Sequence, residues 1–144
     1  MTGRSFIDTN IFVYAADESP EGQFKHDIAT ALLAERRSDL VVSTQVLQEF
    51  YVVATRKLRP PVPEDRAAAA VYGMARLEVV QLDVPLILAA VAISRSAQLS
   101  LWDALMIEAA RSARCSRIVT EDLFDGQVIH GVTVHNPFNF APEA

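Results

Sequence analysis

Short runs rich in Val, Ile and Leu alternate with longer stretches of helical spacing from one end of this chain to the other. Strands that short and that apolar are buried on both faces, which is the environment of a mostly parallel sheet with helices packed over it. Ser5 to Ile7, Leu40-Val41-Val42, Val79-Val80-Gln81-Leu82, Ile118-Val119 and Val132-Thr133-Val134 read as strands. Glu21 to Arg36, Thr44 to Lys57, Ala67 to Met74, Pro85 to Ser96 and Trp102 to Arg114 read as helices, and a further helix follows Asp8. The expectation is an α/β fold: one domain across residues 1–144, core from about residue 5 to 138, with a parallel sheet of about five strands and helices on both faces.

Local chemistry supports these boundaries. Phe24, Ile28, Ala31 and Leu32 recur at helical spacing, as do Leu47, Phe50, Tyr51 and Ala54. Ser43 suits a helix N-cap, Pro60-Pro61 stops the helix before it, and Pro63-Glu64-Asp65 opens the next with a proline and first-turn acids. The tail Asn136-Pro137-Phe138-Asn139-Phe140 is aromatic enough to dock, whereas Ala141 to Ala144 is expected to fray.

The acids carry the chemistry. Asp8 interrupts the apolar run Phe6-Ile7 just before Ile11-Phe12-Val13, so it stands where a strand ends and a helix begins, the place at which ligands bind in open α/β sheets. Asp103 follows Ser100-Leu101-Trp102 at a helix start, and Asp122 follows Ile118-Val119-Thr120 in a turn shared with Glu121 and Asp125. Glu49 lies in mid-helix. Each of the other three has a structural explanation: Asp8 as an N-cap, Asp103 as the partner in a capping box, and Asp122 as an ordinary turn residue. Glu49 has no capping role, and the apolar Val46, Val52 and Val53 around it make its face an odd one for solvent. Taken together, several acids on one edge of a parallel sheet would repel and partly protonate without compensation, and a hard divalent cation such as Mg²⁺ or Mn²⁺ supplies it through oxygen ligands. Asn10, Ser43 and Thr120 stand beside the acids and are expected to fix their rotamers, or else to serve as turn and cap residues. Either Glu121 or Asp125 is an alternative to Asp122.

The net charge of −5 excludes a broad passive nucleic-acid-binding surface but not a nuclease, since a bound cation reverses the local sign. Arg56-Lys57-Leu58-Arg59, Arg36-Arg37 and Arg111, Arg114 and Arg117 read first as solvated helix ends. His26, His130 and His135 do not cluster at zinc spacing, and Cys115 has no partner for an intramolecular disulfide. A reducing cytoplasm is expected. No cleaved signal is expected either, and the longest apolar run, Leu86 to Ile93, falls far short of the roughly 20 residues of a spanning helix.

Four segments, Phe6-Ile7-Asp8-Thr9-Asn10, Ser43-Thr44-Gln45-Val46-Leu47-Gln48-Glu49-Phe50, Leu99-Ser100-Leu101-Trp102-Asp103-Ala104-Leu105 and Thr120-Glu121-Asp122-Leu123, resemble the PIN domain in order, spacing and context, as does Asn136-Pro137-Phe138. The resemblance runs from about Phe6 to Phe138 and is strongest to the VapC toxins of bacterial toxin–antitoxin pairs. It implies a Mg²⁺- or Mn²⁺-dependent endoribonuclease, inhibited by a small antitoxin and homodimeric. By position, Asp8, Glu49, Asp103 and Asp122 match the family's acidic quartet, with Asp8 and Asp103 as the main metal ligands and Glu49 and Asp122 direct or through water. Glu121 departs from the pattern, in a segment where the family often carries Asn or Ser. An antitoxin helix or strand is expected in a cleft exposing Leu47- or Phe50-type residues. Two other classes fit the residues less well. In a phosphoryl-handling aspartate enzyme or receiver module Asp8 would accept phosphate, and an enzyme of the haloacid-dehalogenase type wants a second Asp where Asn10 stands. A non-catalytic interaction protein of the same fold would bind no metal.

Overall fold

The computed structural model describes residues 3–35 and 37–139. Strand β1 (Arg4–Ile7) is followed by helix α1 (Thr9–Ala16), helix α2 (Gln23–Glu35), β2 (Leu40–Ser43), α3 (Thr44–Arg56), α4 (Glu64–Met74) and β3 (Glu78–Val80). Then come α5 (Val84–Ala97), α6 (Leu101–Ser112), β4 (Cys115–Val119), β5 (Val128–Ile129) and β6 (Val132–His135). The sheet order is β3-β2-β1-β4-β6-β5, and every pairing except β5 with β6 is parallel.

This order fixes where a ligand can enter. From β1 the chain builds outward through β2 and β3, then crosses back to lay β4 on the other side of β1. The crevice of such a sheet opens outside the carboxyl ends of the strands at that reversal. Here those ends are Ile7 and Val119, which pair directly. Burial explains the central position of these strands: Phe6, Ile7, Ile118 and Val119 are all fully inaccessible, so at its carboxyl end neither strand has a face for water. A second apolar cluster, with Leu86, Ala90, Ile93, Ala104 and Leu105 at its centre, joins α5 to α6.

The sheet has six strands rather than about five. The additional one, β5, is two residues long and pairs antiparallel with β6, so the sheet is mostly parallel, as expected, with one strand more. A strand that short shows no alternation, and its turn is unconventional in sequence. His130 and Gly131 both adopt positive φ (49° and 84°), the two-residue turn that Asn-Gly usually signals. The helix read as Glu21 to Arg36 begins instead with a 3₁₀ turn, Pro20–Gly22, because the Ser19 hydroxyl accepts the Gly22 amide and Pro20 sets the first turn. Arg36 lies outside the described residues, as do Phe140 and Ala141 to Ala144. Phe138 docks as expected, its ring edge-on to Tyr14 with centroids 5.1 Å apart. Among the described residues no single helix is long and apolar enough to cross a membrane.

Candidate active site at the carboxyl ends of the central strands

Asp8 is the centre of the site. Its amide donates to the Val119 carbonyl at 3.0 Å, extending the β1–β4 ladder by one residue, and its side chain then turns to cap α1. One carboxylate oxygen accepts the Thr9 amide at 2.6 Å; the other accepts the Thr120 hydroxyl at 2.7 Å and the Asn10 side-chain amide at 3.3 Å. Capping and site-building are therefore the same act. With only 5 % of its surface exposed, Asp8 has its pKa pushed up to about 6, chiefly by burial and further by Asp122 and Glu49, against the pull of its hydrogen bonds from Thr120 and Thr9.

Asp122 joins Asp8 through two intermediaries. Asn10 donates its amide nitrogen to both carboxylates, reaching Asp122 at 3.2 Å, and the Asp122 amide donates to the Thr120 hydroxyl at 3.1 Å. The Asn10 amide can be oriented only this way, since its oxygen would otherwise face two anions. That oxygen is buried and has no partner. Asp122 is raised from its ordinary pKa as well, by desolvation first and then by Glu121 and Asp103, which puts Asp103 within electrostatic reach of the site.

Glu49 reaches the site from α3. Although its residue is exposed, its carboxylate accepts the Thr9 hydroxyl at 2.9 Å and the Gln45 side chain at 3.2 Å, tying it to the first residue of α1. At Asp103 only half of a capping box forms. The Ser100 hydroxyl accepts the Asp103 amide at 3.1 Å, while the carboxylate makes no return bond and is left to the cluster. Ser43 is buried and its hydroxyl accepts the Val46 amide of its own helix, with no carboxylate partner, so its geometry is that of a cap.

The turn after β4 separates its three acids. Glu121 is held by Lys25 at 2.8 Å and by the Tyr14 hydroxyl at 2.5 Å, and Lys25 also lies 4.8 Å from the Tyr14 ring centroid and 5.4 Å from that of Phe138. Asp125 accepts the Asn136 amide. Asp122 alone of the three turns to Asn10. Tyr14, Lys25, Thr9 and Gln45 are the positioning residues that sequence reading does not find. Tyr14 and Lys25 look like ordinary helix residues, and only the folded chain brings them against Glu121, about a hundred positions away.

All donors presented by the four acids are hard oxygens, with a buried amide oxygen beside them and no cation among them. Among the described residues no three acidic, His or Cys side chains converge closely enough to form a complete cage by themselves. Mg²⁺ suits such a partial site, because it keeps several waters and takes only one or two carboxylates directly.

Residues 5–123 match the family described as the PIN domain. The chain belongs to that family. All four acids fall within the matched stretch. None of the curated proteins matches the chain. Among solved structures it is similar to Mycobacterium tuberculosis VapC20, a sarcin–ricin loop cleaving toxin, with 22 % identity, a TM-score of 0.63, and coverage of 85 % of this chain and 90 % of that one. It is also similar to a toxin–antitoxin complex from Klebsiella pneumoniae (21 % identity, TM-score 0.67, 93 % and 98 % covered). A third likeness is to DNA-bound VapBC from Salmonella typhimurium (21 % identity, TM-score 0.65, 94 % and 98 % covered). At these identities the likeness is one of fold.

Elsewhere on this PIN domain, an apolar groove of about 470 Å³ runs between α3 and α4, lined by Leu47, Tyr51, Val71 and Tyr72 among others. Leu47 is thus on a cleft, as expected. Phe50 is not: it is 2 % exposed and sits inside the main apolar cluster, at whose edge Leu47 lies.

Proposed function

We propose that this PIN domain is a divalent-metal-dependent endoribonuclease acting as the toxin of a toxin–antitoxin pair. The observation that carries the reading is the Asp8–Asn10–Asp122 bridge: two carboxylates with raised pKa values, held by one amide at the mouth of the central crevice with no positive side chain between them. A fold gains nothing by gathering like charges there unless something outside the chain neutralises them. Membership of the family, and similarity to a toxin described as cleaving the sarcin–ricin loop, support RNA as the substrate.

Asp8 and Asp103 would hold Mg²⁺ or Mn²⁺, with Glu49 and Asp122 direct or through water. Once bound, the ion would offset the carboxylate charge, lower the pKa of coordinated water and stabilise charge at phosphorus. The chain's own part is positional. Thr120 and the Thr9 amide fix both oxygens of Asp8, Asn10 sets the spacing of Asp8 and Asp122, and Thr9 and Gln45 aim Glu49. No residue needs to become a covalent nucleophile.

The α3–α4 groove supports docking of an apolar antitoxin segment, in the manner of a helix or strand laid into a cleft. On α5, Val84, Ile87, Leu88 and Val91 follow one helical face and all are exposed, a stripe that a homodimer would cover. A monomeric mass at micromolar concentration would count against that homodimer. A cytoplasmic location follows from this reading.

The catalytic reading is tested by cutting a responsive RNA in Mg²⁺ with the parent and with Asp8→Asn and Asp103→Asn. Mutating even an outer-shell partner of a metal ligand costs about 10–100-fold, so each variant should lose at least about a hundredfold in rate. Parental rates in either variant would overturn the assignment of that residue.

A further inference from the structure

A second cavity, of about 620 Å³, has Asp122 in its wall but not Asp8. Gln98, Phe124, Asp125, Gln127 and Asn136 line it, together with Asp122. Of these, Phe124, Asp125, Gln127 and Asn136 lie beyond the stretch matched to the PIN family. Its chemistry is specific. Among the described residues no Lys or Arg lines it, and its charged walls are carboxylates, so a phosphate is repelled. Phe124 is 82 % exposed in the turn after β4, an unusual position for a phenyl ring that packs on nothing. The side-chain amides of Gln98 and Gln127 have no protein partner among the described residues.

We propose that this cavity receives one unpaired base of the RNA next to the scissile bond, and that it prefers a base carrying an exocyclic amino group. The inference rests on the ribonuclease reading above. An exposed aromatic ring is the usual platform for a splayed base, and side-chain amides read base edges. Asp125 gives the preference its direction. The Asn136 backbone amide, at 2.9 Å, and the Asn139 side chain donate to it and hold its pKa below the ordinary value, so it stays an exposed anion that can only accept hydrogen bonds, with lone pairs left for a further donor. Adenine, cytosine and guanine present an exocyclic amino donor to such a wall, whereas the one ring donor of uracil, N3–H, is flanked by two carbonyls that the carboxylate repels. Glu121 also borders the cavity, but both its oxygens are engaged by Lys25 and Tyr14. Sharing Asp122 as a wall places a base in this cavity one nucleotide's reach from the acids.

The test measures binding apart from cutting. In the full chain carrying Asp8→Asn, fluorescence polarisation with short labelled oligo-A, oligo-C and oligo-U should show A and C bound more tightly than U. Adding Phe124→Ala should weaken oligo-A binding at least about fivefold, while Phe124→Trp keeps it within about twofold. Asp125→Asn should narrow the preference for A over U. Unchanged affinity in Phe124→Ala, equal binding of A and U, or no binding of any oligomer overturns the proposal. A catalytically wrong assignment shows itself differently, as Asp8→Asn cutting like the parent. If the parent cuts in an Asp8-dependent way, and Phe124→Ala cuts at the same bases with the same rates, the base site alone fails.

Discussion

The two ends of strand β1 handle charge in opposite ways. At its amino end Arg4 meets Glu78 in an ion pair, with Asp39 near enough to favour the guanidinium further, and opposite charges satisfy one another on a half-exposed surface. At its carboxyl end Asp8 meets Asp122, Glu49 and, through Asp122, the field of Asp103, and among the described residues no positive side chain answers them. The nearest compensation, Lys25, is committed to Glu121. One strand thus carries a charge-balanced end that serves the fold and an unbalanced end that works against it. Such local inconsistency is where function is sought.

The sharpest way to break this contrast is through stability in the absence of divalent ions. Asp8 has a folded pKa of about 6 against an ordinary 3.8, so between those values the folded state holds a proton that the unfolded state has lost. The contribution of Asp8 to stability is therefore greatest below about pH 4, falls as pH rises toward 6, and stays lower above it, by about 2–3 kcal/mol in all. Asp8→Asn has no such titration. With EDTA present, urea unfolding should find it more stable than the parent at pH 7 and find the two profiles converging by pH 4. Parallel profiles would mean that the carboxyl end is not strained by charge.

A second prediction separates strain from function. Thr120 is fully buried and its hydroxyl both donates to Asp8 and accepts the Asp122 amide. Thr120→Val removes both bonds with little change of shape, and RNA cleavage should fall about 10–100-fold, as for an outer-shell partner of a metal ligand. Smaller again is the effect expected at the clamp on Glu121. Lys25→Met leaves that carboxylate only its bond to Tyr14 and should lower stability by about 1 kcal/mol, read from urea midpoints. Least of all, Arg4→Met should change stability by no more than about 0.5 kcal/mol and leave cleavage intact, because a half-exposed ion pair contributes little. A large activity loss there would erase the distinction between the two ends.

The same contrast explains what was readable in the sequence. Elements whose residues settle their own environment were legible: the apolar β1, β2 and β4, the Ser43 and Ser100 caps, and the strand-to-helix break at Asp8. The acids were legible as candidates for the same reason, since each interrupts a pattern. Their partnerships were not. Which of Glu121, Asp122 and Asp125 turns to Asn10 depends on Lys25 and Tyr14, which reach the turn from α2 and α1 across about a hundred positions. Likewise β5 was hidden, because two residues carry no period and the His130-Gly131 turn shows its handedness only in backbone angles. Phe50 shows the limit of the helical wheel, which put it beside Leu47 without saying which of the two faces the core.

The central claim is that the unbalanced acids at the carboxyl end of β1 cut RNA. The most direct measurement is sequencing of RNA 5′ ends after brief induction of the parent and of Asp8→Asn in the same cells. The account predicts new 5′ ends at defined sites with the parent and none of them with Asp8→Asn. The same ends in both, or none in either, would contradict it.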